Sequence, residues 1–189
     1  MRAYRAWSLF VLGSWLTACG AENTPATPAA EAAAAASAPK PTSKPTPKKV
    51  GYDLRHLRPV DDQPLEQMVE RMWAQARADG KQVAMLFSAD WCERCQRLEL
   101  ELGNLHPADD IAHVRVLELV EEEWEKALRM NEFNALRLRW DPTKNTYPLL
   151  LVLDDKGAKV EEMKEAVERL EQAGQDPTLP TWFRGLKRS

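Results

Sequence analysis

The strongest constraint on the fold is the junction between residues 83 and 102. Val83 to Phe87 (VAMLF) is a short apolar run that ends at Ser88-Ala89-Asp90, and Trp91-Cys92-Glu93-Arg94-Cys95 follows at once. From there Cys95, Leu98 and Leu102 step at three and four residues. The run suits a buried strand, and the stepping predicts a helix that opens at the cysteines. Backbone N–H groups at a helix N-terminus favour negative charge, so a thiol placed there has a lowered pKa and reacts as thiolate. The i, i+3 spacing brings the second sulfur within bonding reach. A bridge spanning two residues closes too short a loop to restrict the unfolded chain much, so thiol–disulfide chemistry is the leading reading of Cys92 and Cys95. The alternatives are an inert staple and a metal pair. His56, His106 and His113 have no spacing that joins the CxxC in a zinc site, and no histidine is assigned as a ligand. His113 reads as a structural residue of a strand.

The N-terminal fifty residues carry a different message. Arg2 and Arg5 precede the apolar segment Ala6 to Leu16, which is shorter than the roughly 20 residues a membrane span needs, and together they read as a secretory signal. Leu16-Thr17-Ala18-Cys19 resembles the lipobox of bacterial lipoproteins, which implies cleavage after residue 18 and lipid on Cys19. Gly20 after that Cys favours the outer membrane over the inner one under the sorting rule of such lipoproteins. The chain has three cysteines, so lipidation at Cys19 would leave Cys92 and Cys95 as the single remaining pair in an oxidising compartment, where disulfides persist. Residues 19–50 are rich in Ala, Pro and Lys and nearly free of large apolar side chains, so they read as a disordered tether reaching on the order of 90 Å when extended. Lys40, Lys44, Lys48 and Lys49 serve solubility. Residues 51–189 have the size of one domain, and a net charge of −3 gives no sign of nucleic-acid binding.

Within that domain, Leu65, Met68, Val69, Met72, Trp73 and Ala76 form an apolar helical stripe. Pro64 stands at its start, Asp61 and Asp62 lie near its positive end, and Gly80 follows its last turn. His113 to Val120 alternates well enough for a strand. Glu121 to Leu136 predicts one helix with Trp124, Leu128 and Phe133 facing inward and Glu121-Glu122-Glu123 as a solvated start. Leu149 to Leu153 is the most apolar strand, followed by a turn at Asp154-Asp155-Lys156-Gly157. Val160, Met163, Val167 and Leu170 mark a last helix closing at Gly174, which leaves Ala158 to Val160 for an edge strand at most. Trp124, Trp140 and Trp182 are assigned to core or domain-edge packing. Helices alternating with strands in this order indicate an α/β sandwich with a mixed sheet.

Trp91-Cys92-Glu93-Arg94-Cys95 after an apolar strand resembles the WCxxC of the thioredoxin superfamily. Ala89-Asp90-Trp91-Cys92 is similar to the periplasmic branch that includes the C-terminal domain of the transmembrane thiol:disulfide interchange reductase. Tyr147-Pro148 before Leu149 to Leu153 matches the place where the family carries a cis-proline facing its cysteines. The resemblance spans about residues 65 to 173. It implies a thioredoxin-like three-layer sandwich with a mixed β-sheet, and a redox-active disulfide with no other cofactor; the truncated last edge strand, read from the helical periodicity after Gly157, departs from the family. Cys92 is then the attacking thiol and Cys95 the resolving one. Trp91, Tyr147 and Pro148 form the substrate surface, and Asp90, Glu93 and Arg94 tune the thiolate. Arg94 favours the thiolate and Glu93 opposes it. The acid that the family often buries six positions before the first cysteine is absent, because that position is Leu86, so a proton relay must use water or another group.

These features predict an envelope protein-disulfide oxidoreductase, with the reducing direction favoured. Its expected partners are envelope proteins bearing thiols or disulfides, the membrane through the N-terminal lipid, and a membrane electron donor. Two other functions stay open: a lipid-tethered binding module whose sulfurs are unimportant, and a copper or zinc carrier.

Overall fold

A computed structural model describes residues 47–143 and 146–186. The signal segment, Cys19, Lys40, Lys44 and nearly all of the tether lie outside the described residues.

The chain forms β1 (Lys49–Val50), β2 (Asp53–His56), α1 (Leu65–Ala78), β3 (Gln82–Ser88), α2 (Glu93–Leu102), β4 (His106–Pro107) and α3 (Ala108–Ile111). It continues with β5 (Val114–Val120), α4 (Glu121–Lys126), α5 (Met130–Arg137), β6 (Leu149–Leu153), β7 (Lys159–Glu162), α6 (Met163–Gln172) and α7 (Leu179–Gly185). Five strands make one sheet in the order β2-β5-β3-β6-β7, and β1 pairs only with β4. Strands β2, β5 and β3 run parallel, while β6 is antiparallel to both β3 and β7. The sheet is therefore mixed. Lys49 and Val50 pair with Pro107 and His106, so regular structure begins inside the stretch expected as tether.

Side chains alternate across a strand, and the central strands feed two apolar layers. One face carries Val83, Met85 and Phe87 against Leu65, Met68, Val69, Trp124, Phe133 and Leu136. The other carries Ala84 and Leu86 against Leu98, Leu102, Ala166, Leu170, Trp182 and Phe183. A three-layer sandwich results. Helix α1 follows the expected stripe: Leu65, Met68, Val69 and Ala76 are buried, and Met72 and Trp73 pack partly against the same layer. It closes with Gly80 at φ 66° and Lys81 N–H donating to the Ala76 carbonyl at 2.8 Å, a left-handed cap suited to glycine. Asp154 makes the turn after β6 by accepting from the N–H groups of Lys156 and Ala158 at 2.8 and 2.9 Å.

Three expectations need correction. The segment 121–136 is two helices, α4 and α5, separated at Leu128, which has φ 58°. Trp124 and Phe133 are nine residues apart, so one straight helix would point them about 180° from each other; the break lets both be buried. Leu128 turns outward and is 91% exposed. Val160 belongs to β7 rather than to the last helix and is exposed, and the edge strand extends to Glu162. The strand expected at 113–120 is β5 (Val114–Val120). β5 lies between β2 and β3, and its Arg115 and Glu118 are buried. Strand β2 and helix α7 were not anticipated. Among the described residues no helix is long and apolar enough to cross a membrane.

Candidate functional site

Strand β3 delivers the chain to the site and α2 starts there. Cys92 is the N-cap of α2, with φ −88° and ψ 106°, and its sulfur accepts the Cys95 N–H at 3.1 Å. An N-cap side chain normally satisfies one of the free N–H groups of the first helical turn; here a sulfur does so. Cys92 and Cys95 are joined as a disulfide with Cα atoms 5.2 Å apart. Both are largely buried and pack with Ala89 and Tyr147.

The Tyr147–Pro148 peptide bond is cis, and Pro148 leads directly into β6. The rings of Tyr147 and Trp91 meet edge to face with centroids 5.4 Å apart. Trp91 is 67% exposed, so an aromatic pair with one open face stands beside the disulfide. Behind it the buried guanidinium of Arg137 lies 4.0 Å from the Tyr147 ring centroid and donates to Asp141 at 3.0 Å and to the Thr146 carbonyl at 2.6 Å. Burial raises the pKa of the Tyr147 phenol well above its ordinary value, so it stays protonated.

The residues expected to tune the thiolate sit on the rim. Glu93 pairs with Arg97 on the same helix face, and Arg94 is exposed; charges so placed are screened by solvent. Asp90 contributes backbone contacts: its N–H donates to Glu122 at 3.0 Å and its carbonyl accepts from Gln96 at 2.7 Å.

Sequence reasoning missed the polar residues behind Cys95. A cavity of about 400 Å³ opens between α2, β5 and α4, and Ser88, Cys95 and Glu118 all line it. Glu118 stands directly across from Leu86 in the β3–β5 register. Its Oε1 accepts from the Ser88 hydroxyl at 3.0 Å, and Oε2 lies 2.9 Å from His56 Nδ1. The signal in the sequence was a carboxylate within the otherwise apolar run Val-Leu-Glu-Leu-Val. Of the other histidines, His106 contacts Glu101 at 2.9 Å, and the His113 ring meets the Phe183 carbonyl at 2.9 Å. Among the described residues no three His, Cys, Asp or Glu side chains gather as a metal site.

Four strands running one way with β6 alone reversed among them, a CxxC disulfide at the β3–α2 junction and a cis-proline before β6 make a thioredoxin-like fold. No protein-family profile matches the chain, and no curated protein matches it significantly. Solved structures similar to it include a disulphide isomerase from Xylella fastidiosa Temecula1, at 19% identity over 66% of this chain and 92% of that one, with TM-score 0.45. A poplar thioredoxin h is similar at 18% identity over 65% of this chain and 92% of that one, with TM-score 0.41. The oxidised C-terminal domain of DsbD from Neisseria meningitidis is similar at 17% identity over 51% of this chain and 79% of that one, with TM-score 0.32.

Proposed function

We propose that the chain is a thiol:disulfide oxidoreductase of the bacterial envelope, acting as a reductase of protein disulfides through Cys92 and Cys95. The observation that carries this reading is the place of Cys92: an N-cap sulfur that accepts the Cys95 N–H at 3.1 Å at the positive end of a ten-residue helix. That setting lowers a thiol pKa and supplies thiolate near neutral pH. In the reduced protein Cys92 attacks a substrate disulfide and forms a mixed disulfide, and one substrate sulfur leaves. Cys95 then attacks Cys92 Sγ, the second substrate sulfur leaves, and the Cys92–Cys95 bond closes. The open face of Trp91 and the cis-proline segment receive the substrate chain. No cofactor beyond this dithiol is required.

The reducing direction follows the likeness of Ala89-Asp90-Trp91-Cys92 to the periplasmic reductase branch. Lipid on Cys19 would hold the protein at the membrane, the outer one in preference to the inner, with the tether giving reach to envelope partners and to a membrane electron donor. Reduction of insulin by the purified protein tests the chemistry. The wild type should precipitate the insulin B chain and Cys92→Ser should not; equal activity in the two would sink the proposal.

A further inference from the structure

The cavity behind the disulfide holds a carboxylate that exchange at the sulfurs alone does not use. Glu118 is 5% exposed, in the middle of a sheet whose other buried side chains are almost all apolar. A buried carboxylate needs hydrogen bonds or a cation to offset its desolvation, and Glu118 is incompletely supplied. The Ser88 hydroxyl donates to Oε1 at 3.0 Å. His56 Nδ1 is 2.9 Å from Oε2, yet Oε2 has no hydrogen-bond partner among the described residues. Glu118 and Cys95 line the same cavity, and Cys92 does not. Polar walls and a volume of about 400 Å³ give ample room for water with several partners.

The geometry points to Glu118 as the group that exchanges the proton of Cys95 through water in this cavity, with His56 and Ser88 positioning it. The assignment rests on the redox reading of the CxxC pair and adds its proton path. In the mixed disulfide Cys95 is a thiol and must lose its proton to attack. The Glu118 carboxylate takes that proton as Cys95 sulfur bonds to Cys92 Sγ and the substrate sulfur leaves with the bonding electron pair. Glu118 then returns the proton through water to a departing substrate thiolate, and solvent protonates the other. In the reverse direction an external thiolate attacks Cys92, Cys95 leaves as thiolate, and the Glu118 acid protonates it. Both directions conserve protons and electrons.

The surroundings set where Glu118 titrates. Burial pushes its carboxyl above the usual carboxylate range, and this outweighs the opposing pull of His56 and Ser88; Glu99 of α2 and Glu123 of α4 add to the rise. The remaining charges at the cavity are Arg58, Asp90 and Lys126, and Arg58 is paired with Glu123 at 3.1 Å. A carboxyl raised in this way is better matched to exchanging a proton with a thiol than an ordinary carboxylate is.

The test is two-phase stopped-flow reaction of the reduced full chain with dithionitrobenzoate, followed from pH 5 to pH 9. The first release of thionitrobenzoate reports attack by Cys92, and the second reports attack by Cys95 on the mixed disulfide. The second phase of the wild type should rise through a pH limb set by Glu118. Glu118→Gln should slow that phase at neutral pH by about tenfold or more and abolish the limb, with the first phase unchanged. His56→Gln, at an exposed position, removes the side chain that pulls the Glu118 carboxyl down, so the limb should move to higher pH. A Glu118→Gln chain with an unaltered second phase overturns the assignment. So does a His56→Gln chain whose limb stays in place, and that variant decides the matter if Glu118→Gln does not fold. Failure of the wild type to reduce insulin, with these phases behaving as expected, would remove the proposed function and leave the proton path standing.

Discussion

Arg137→Met is the most informative structural perturbation, because one buried cation supports both the segment before the cis-proline and the ring beside the disulfide. Arg137 is 2% exposed and donates to Asp141 at 3.0 Å and to the Thr146 carbonyl at 2.6 Å. Methionine keeps most of the apolar stem and removes the charge. A hydrogen bond from a charged donor contributes about 1.5–3 kcal/mol, and removing one partner of a buried pair costs about 3–5 kcal/mol. Asp141 still accepts from the Thr143 hydroxyl at 2.7 Å and the Thr146 N–H at 3.4 Å, so the lower end applies, about 3 kcal/mol. At about 2–4 °C per kcal/mol for a domain near this size, the melting temperature should fall by about 10 °C.

The same pair fixes a pH signature. Burial opposes ionisation of Asp141, yet Thr143, Thr146 and Arg137 outweigh it and hold its pKa below the ordinary carboxylate value. A depressed folded pKa contributes stability above the unfolded pKa and loses it as pH falls. The gap between wild type and Arg137→Met should therefore be widest at neutral pH and narrow below roughly pH 4. Thermal melts of the wild type, Arg137→Met, Asp141→Asn and the double variant supply the check. The double variant should lose less than the sum of the singles by about 1 kcal/mol or more. A melting temperature within about 2 °C of wild type, together with an additive cycle, would refute the reasoning.

Gly157→Ala should be strongly destabilising, because φ is +83° and a Cβ there would lie 2.4 Å from Trp73 Cη2; overpacking plus the left-handed backbone cost about 2–4 kcal/mol, readable by urea unfolding. Leu128→Gly should stabilise: Leu128 holds φ 58° with its side chain exposed, and relief of about 1–2 kcal/mol of backbone strain exceeds the entropic cost of glycine, so an unchanged or lower urea midpoint would contradict this. For Asp53, burial opposes ionisation, but hydrogen bonds from Lys81 at 2.6 Å and Arg115 at 2.8 Å outweigh it and lower its pKa. Asp53→Asn should accordingly lose stability at pH 7 and show a flatter decline than wild type as pH falls through roughly 4, measured by urea midpoints across that range.

What the sequence disclosed was whatever rests on local pattern. The stripe from Leu65 to Ala76, the apolar runs of β3 and β6, and the cysteines at a strand-to-helix junction each carry their own periodicity. Asp53–His56 does not: its sequence DLRH has no apolar alternation, and it is a strand because β5 offers an open parallel edge. The break at Leu128 follows from the competing burial of Trp124 and Phe133, a tertiary demand that no single helical wheel records. That Trp91, Cys92, Cys95 and Tyr147 come together was legible from the CxxC motif and from the resemblance that puts a cis-proline at Pro148. Glu118, Ser88 and His56 were not, since they meet only because β5 lies between β2 and β3, an order that no local pattern records. The acid missing at Leu86 could be noticed in the sequence, but the carboxylate across the ladder needed the strand register.

The central claim is that Cys92 is the attacking thiol of an exchange pair. Its most direct test is trapping of mixed disulfides with a disulfide-bonded peptide at neutral pH, comparing Cys92→Ser with Cys95→Ser. Cys95→Ser should accumulate a stable one-to-one adduct through Cys92, and Cys92→Ser should accumulate none. Equal trapping by the two variants, or no adduct in Cys95→Ser, would contradict the account.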